Sequence, residues 1–154
     1  MINRKEAYDL VSLEERLSND HKVAIETLSK IGQGLEKGEL DVDLFSEFEI
    51  NLKNHIYNEE TVVFPKLMRE YNLKLEISGL EMEHAAMWRL IDLIYAEINE
   101  KKINKILKYF DEVDRILQNH NAREEELIYP KIKGDVQPEQ IERPSNWRCI
   151  KLLK

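Results

Sequence analysis

The stretch His55-Ile56-Tyr57-Asn58-Glu59-Glu60-Thr61-Val62-Val63-Phe64-Pro65 lies without gaps over His120-Asn121-Ala122-Arg123-Glu124-Glu125-Glu126-Leu127-Ile128-Tyr129-Pro130. Both segments read His-x-x-x-Glu-Glu-x-x-x-(Phe/Tyr)-Pro. Two further histidines, His21 and His84, precede the repeats by 34 and 36 residues, and no other histidine is present. The chain therefore reads as two similar helix hairpins, each contributing one His and then one His-x-x-x-Glu. A proline ends each repeat, where its missing N–H and its ring should kink or stop a helix.

Working outward, four stretches carry helical periodicity. The first opens at Ser12-Leu13-Glu14-Glu15, a capping box that satisfies orphaned backbone N–H groups at both ends. Its apolar stripe is Leu13, Leu17, His21, Ala24, Leu28 and Ile31, with Gly32, Gly34 and Gly38 expected to end it. The second starts near Asp41 or Asp43 and runs through Phe45, Phe48, Leu52, His55 and Glu59 toward Pro65. A second capping-box pattern, Ser78-Gly79-Leu80-Glu81, is expected to open the third stripe of Leu80, His84, Met87, Ile91, Ile94 and Ile98. The fourth begins around Asn104 and reads Ile106, Phe110, Val113, Leu117, His120, Glu124. Four amphipathic helices with short connections predict an all-α fold, an antiparallel up-down four-helix bundle over residues 1–131. Residues 132–154, with Pro138 and Pro144, read as an irregular C-terminal tail with Ile141, Trp147, Ile150 and Leu152 as candidate docking points.

Composition bounds the function. At 154 residues, with 34% charged and 42% hydrophobic side chains, one globular domain is expected. The net charge of −7 argues against nucleic acid or an anionic membrane surface as partner. No apolar run is long enough to span a bilayer, and Met1-Ile2-Asn3-Arg4-Lys5-Glu6 lacks the apolar core of a secretory leader, so a cytoplasmic location is expected. The lone Cys149 excludes an intramolecular disulfide and any CxxC motif, and in a tail it reads as a bystander.

All four histidines fall on buried stripes, one per helix. A four-residue step turns a helix by about 40° net, so Glu59 and Glu124 should enter the core beside His55 and His120. A single core histidine is ordinarily a packing residue, but six such residues at matched depth strain that explanation. Buried carboxylates without a positive partner are costly. Imidazole with carboxylate suits iron, manganese or zinc, whereas calcium and magnesium prefer all-oxygen shells. Two bridging carboxylates imply two ions. Four imidazole nitrogens, four carboxylate oxygens and a bridging oxide or hydroxide leave about one open position on each of two roughly octahedral ions. A ferritin-like site would need two Glu-x-x-His motifs, and only Glu81-x-x-His84 is present. Trp88, one turn after His84, is a candidate pocket-lining residue, while packing or surface roles, rather than tuning or gating of a metal site, are expected for Tyr57, Tyr95, Tyr109 and Tyr129.

The pattern His21, His55-x-x-x-Glu59, His84, His120-x-x-x-Glu124, with aromatic-Pro closing both repeats, resembles the hemerythrin-like (HHE cation-binding) domain over roughly residues 12–131. The resemblance implies a four-helix bundle holding an oxo- or hydroxo-bridged pair of iron ions. His21, His55, His84 and His120 would be terminal ligands, with Glu59 and Glu124 as bridges. Oxygen-carrying members have a fifth histidine one turn along the third helix, where this chain has Trp88. They also place the last carboxylate five residues after its histidine, which would select Glu125. The inward pointing of a four-residue step and the internal repeat favour Glu124. With four His and two Glu the chain is more similar to the di-iron domain of iron–sulfur-cluster repair proteins, without their cysteine-containing N-terminal domain. The implied function is binding of iron and of dioxygen, peroxide or nitric oxide, in stress response or iron handling. The alternative is an iron donor, sensor or metal-stabilised interaction module without redox chemistry.

Overall fold

A computed structural model describes residues 12–135 and 142–153. Helix α1 spans Leu13–Glu36 and α2 spans Val42–Asn58. A π-helical turn, Glu59–Val63, carries α2 into α3, Phe64–Glu70, so these three pieces form one long rod. Helices α4 (Lys74–Ile98) and α5 (Ile103–Leu127) complete an all-α four-helix bundle. The connections between rods are short, which folds each helix back against the one before it.

Local chemistry explains the ends. Ser12 Oγ accepts from the Glu15 N–H at 3.1 Å, and Asp41 Oδ1 accepts from the Leu44 N–H at 3.0 Å. Each side chain satisfies a donor that has no partner inside its helix. Two expectations need correction. Helix α1 runs through Gly32 and Gly34 to Glu36, and the chain turns only at Gly38, whose φ of +84° favours glycine. Gly32 instead permits close approach: a Cβ there would lie 3.3 Å from the Phe110 ring on α5. Ser78 does not cap α4, which begins four residues earlier at Lys74. The earlier start places Ile77, fully buried, on the same stripe as Leu80 and His84, and that burial outweighs the local capping pattern. Pro65 does not stop its helix: the π turn just before it places the proline in the first turn of α3, where its missing N–H costs little.

The core consists of two apolar clusters. The larger contains Ile31, Phe45, Phe48, Ile56, Met87, Ile91 and Val113, and the smaller contains Leu17, Phe64, Leu67, Ile77, Leu80 and Tyr129. Along every rod a buried histidine or glutamate (His21, Glu59, His84 or Glu124) falls between residues of the two clusters, so a polar layer crosses the bundle between them. The tail packs back on the larger cluster. Trp147 meets Tyr57 and Trp88 edge-on at 5.0 and 6.0 Å, and Leu152 lies against the same cluster. Ile150 is exposed, and Cys149 is the fully buried anchor rather than a bystander. Burial pushes its thiol up to about 12, so it is held neutral and packs as an apolar residue. Ile141 lies outside the described residues. No helix among the described residues is long and apolar enough to cross a membrane.

Candidate metal centre

The polar layer brings all six sequence-predicted residues together. Ligand atoms of His21, His55, Glu59 and Glu124 lie within 4.8 Å of one another, and so do those of Glu59, His84, His120 and Glu124. Both carboxylates belong to both groups. Glu59 and Glu124 are fully buried, and His21, His55, His84 and His120 are at most 4% exposed. Glu81, the lone Glu-x-x-His match, stays outside both groups.

Each histidine is oriented by a carboxylate from a neighbouring helix. His55 Nδ1 lies 2.8 Å from Asp20, His84 Nδ1 2.7 Å from Glu60, His120 Nδ1 3.2 Å from Glu83 and His21 Nδ1 3.0 Å from Glu125. An ionised carboxylate only accepts, so each Nδ1–H donates and each Nε2 turns a lone pair inward. The pairs close a ring around the bundle: α1 holds the histidine of α2, the π turn that of α4, α4 that of α5, and α5 that of α1. Such contacts fix the tautomer and raise ligand basicity. Glu125 is therefore engaged, although half of its side chain is exposed. Asp20→Asn, which keeps size and removes charge, is expected to weaken metal binding about 10–100-fold, as a competition titration with a chromophoric chelator would read.

The inward atoms make a site with too many lone pairs. His84 Nε2 and His120 Nε2 are 3.1 Å apart. His55 and His84 Nε2 each lie 3.2 Å from Glu59 Oε1, while His21 and His120 Nε2 lie 3.3 and 2.9 Å from Glu124 Oε1. With Nδ1 already carrying the proton, these approaches are attractive only if a second proton or a cation sits among them. Glu59 Oε1 and both Glu124 oxygens otherwise lack hydrogen-bond donors. Without a cation, protons take the role. Burial, reinforced by the charge of Glu59, pushes the Glu124 carboxyl up to about 8. Burial alone would lower His55 and His84, but the carboxylates around them more than offset it and both are raised. Burial would likewise raise Glu59, yet His55 and its other neighbours hold it well below the usual range. Imidazole nitrogens and orphaned carboxylate oxygens at this spacing fit borderline transition-metal cations.

Two features break the twofold pattern. Tyr129, for which packing was expected, is buried with its hydroxyl 2.8 Å from His21 Nε2 and 3.3 Å from His55 Nε2, and it donates to Glu59 Oε2 at 2.9 Å. Burial, with Glu124 and Glu59 nearby, holds this phenol well above its usual range, so it keeps its proton. Its repeat partner Phe64 has no hydroxyl and stacks on the His84 ring at 5.7 Å. On the opposite side of the layer a cavity of about 140 Å³ touches all four histidines and is walled by Val23, Ala24, Leu52, Met87 and Leu117. Trp88 does not line it, because its ring packs against Trp147 and under the Lys53 ammonium, 4.4 Å away. His21 and Asn121 also line an open groove between α1 and α5, beside Lys22, Glu26 and Gln118, and so separate cavity from surface.

A four-helix bundle with paired histidine and carboxylate sets in its core defines the class of helical metal-binding domains. The hemerythrin HHE cation binding domain family matches residues 12–132, and the chain belongs to that family. No curated protein and no solved structure gives a significant match.

Proposed function

We propose that the chain is a non-haem di-iron protein that binds dioxygen, peroxide or nitric oxide, in a response to oxidative or nitrosative stress or in iron handling. His21 and His55 would serve one ion, His84 and His120 the other, and Glu59 and Glu124 both. The observation that carries this reading is the sharing of two buried carboxylates between two histidine pairs, directly against a small, mostly apolar cavity. An iron pair held by these residues would supply electron-exchanging chemistry toward a small ligand. The chain supplies the rest: the carboxylate ring aims the imidazoles, Tyr129 holds a proton at Glu59, and the small cavity limits the ligand to a few atoms. Four protein side chains per ion leave room in a shell of about six, where the oxygen carriers place a further histidine. Manganese and zinc suit the same donors, so metal identity is part of the test.

The test is metal analysis of freshly purified protein by mass spectrometry, with absorption spectra before and after dithionite. Two irons per chain are expected, with near-ultraviolet bands that bleach on reduction and shift when azide or nitric oxide is added. Zinc, a single ion or nothing, persisting after anaerobic Fe(II) loading, would overturn the proposal. One contact favours iron sensing or donation as a second reading. Glu60 accepts from the Ile150 N–H at 2.8 Å while holding His84, which ties the tail to a ligand. Metal must then alter stability, and identical melting with and without iron would count against it.

A further inference from the structure

Asn121 follows His120 on α5 and is 6% exposed, yet neither its Nδ2 nor its Oδ1 has a hydrogen-bond partner among the described residues. Buried amides are nearly always paired, and an unpaired one carries an uncompensated desolvation cost. Packing does not ask for a polar group here. The matching position of the first repeat is Ile56, fully buried in the larger apolar cluster. Asn121 instead stands between the cavity beside the four histidines and the open groove of α1 and α5, and it lines both. Of the other polar groups in the cavity, Asp20 is committed to His55 and Asn51 is exposed to water.

Resting on the metal pair proposed above, we infer that the Asn121 side chain hydrogen-bonds the exogenous ligand and selects for ligands that carry negative charge on their far atom. An amide offers two N–H donors and a carbonyl acceptor, so it can serve both an anionic terminal atom and a protonated one. Of the two amides lining the cavity it is the buried and unpaired one, so it can discriminate among ligands of equal size. Dioxygen as it gains electron density, peroxide and azide would gain from it.

Azide, titrated into the oxidised iron-loaded protein, is the probe. Asn121→Leu keeps the size and removes both hydrogen-bonding groups, while Asn121→Ser keeps a smaller donor. Asn121→Leu is expected to bind azide about 10–100-fold more weakly, the range for a hydrogen bond to a charged group, with a shifted azide stretching frequency in the infrared. Asn121→Ser should fall between it and the wild type. The metal-free Asn121→Leu protein should melt a few degrees higher, because it no longer buries an unpaired amide. Metal content and circular dichroism establish that the variants are comparable, and Asn121→Ser carries the comparison if the Leu variant loses iron. Equal azide affinity and an unshifted stretch in both variants would overturn the inference. Wild-type protein that takes up no iron pair or no azide overturns the underlying ligand-binding proposal, and this inference with it.

Discussion

Glu124→Ala is expected to empty both metal positions at once. The residue is fully buried, its Oε1 lies 2.9 Å from His120 Nε2 and 3.3 Å from His21 Nε2, and it belongs to both groups of candidate ligands. If the proposed pair of ions is bound, removing Glu124 would take a donor from each and leave their mutual repulsion screened by Glu59 alone. His84→Ala, by contrast, strips one group only and should leave the His21–His55 position loaded. Metal per chain by mass spectrometry checks this, with circular dichroism confirming the bundle. The fold should survive Glu124→Ala, because neither oxygen of that carboxylate has a geometrically satisfied hydrogen bond and the side chain anchors no helix end. Glu125→Ala separates the two candidates for the last carboxylate. It should retain both ions, bound about 10–100-fold more weakly, because Glu125 contacts only the outer nitrogen of His21. Two ions retained by Glu124→Ala, or none by Glu125→Ala, would reverse the assignment.

Thermal melting with and without iron should diverge strongly, and increasingly so with pH. An ion present at about a thousand times its dissociation constant stabilises the folded state by about 4 kcal/mol, which moves the midpoint of a domain this size by about 10 °C or more. The metal-free protein has the opposite pH dependence. Glu124 stays protonated in the folded state up to about 8 but ionises near 4.5 in the unfolded chain, so folded protein holds the extra proton across that window and loses stability as pH rises. His55 and His84, raised above 6.5, act in the same direction, and their contribution is lost as pH climbs through their folded values. Glu59, held low, contributes stability that is lost only on acidification below 4.5. Cations replace those protons, so loading strengthens as pH rises. The gap between the two melting curves should therefore widen from pH 5 to 8. A gap that is constant or narrows would place the metal elsewhere.

The bundle and the six inward residues were legible because helical periodicity and an ungapped repeat are properties of single segments. The carboxylate ring was not. Adjacent helical residues differ by about 100° in direction, so the neighbour of an inward ligand points across to another helix. Asp20 next to His21 serves His55, and Glu83 next to His84 serves His120. The available signal was the doubling itself: Asp20-His21, Glu59-Glu60, Glu83-His84 and Glu124-Glu125 each set an acid beside a ligand candidate. Tyr129 was hidden differently. Its role depends on the 3₁₀ turn Tyr129–Ile132 that follows α5, and nothing in the helical period specifies that turn. The start of α4 was misplaced because Ser78 offers a plausible cap, whereas burying Ile77 is a tertiary gain that no local pattern announces.

The crossed ownership of the carboxylates bears on the order of events in time. Each hairpin carries its own two histidines and one acid and must borrow the other acid from its partner, so neither half can grip an ion fully before the halves have docked. Interactions completed only in the native arrangement are absent from the folding transition state, and stabilisation of that kind acts on the rate of opening. A bound metal should therefore leave the speed of refolding nearly unchanged and make the folded chain slow to let go.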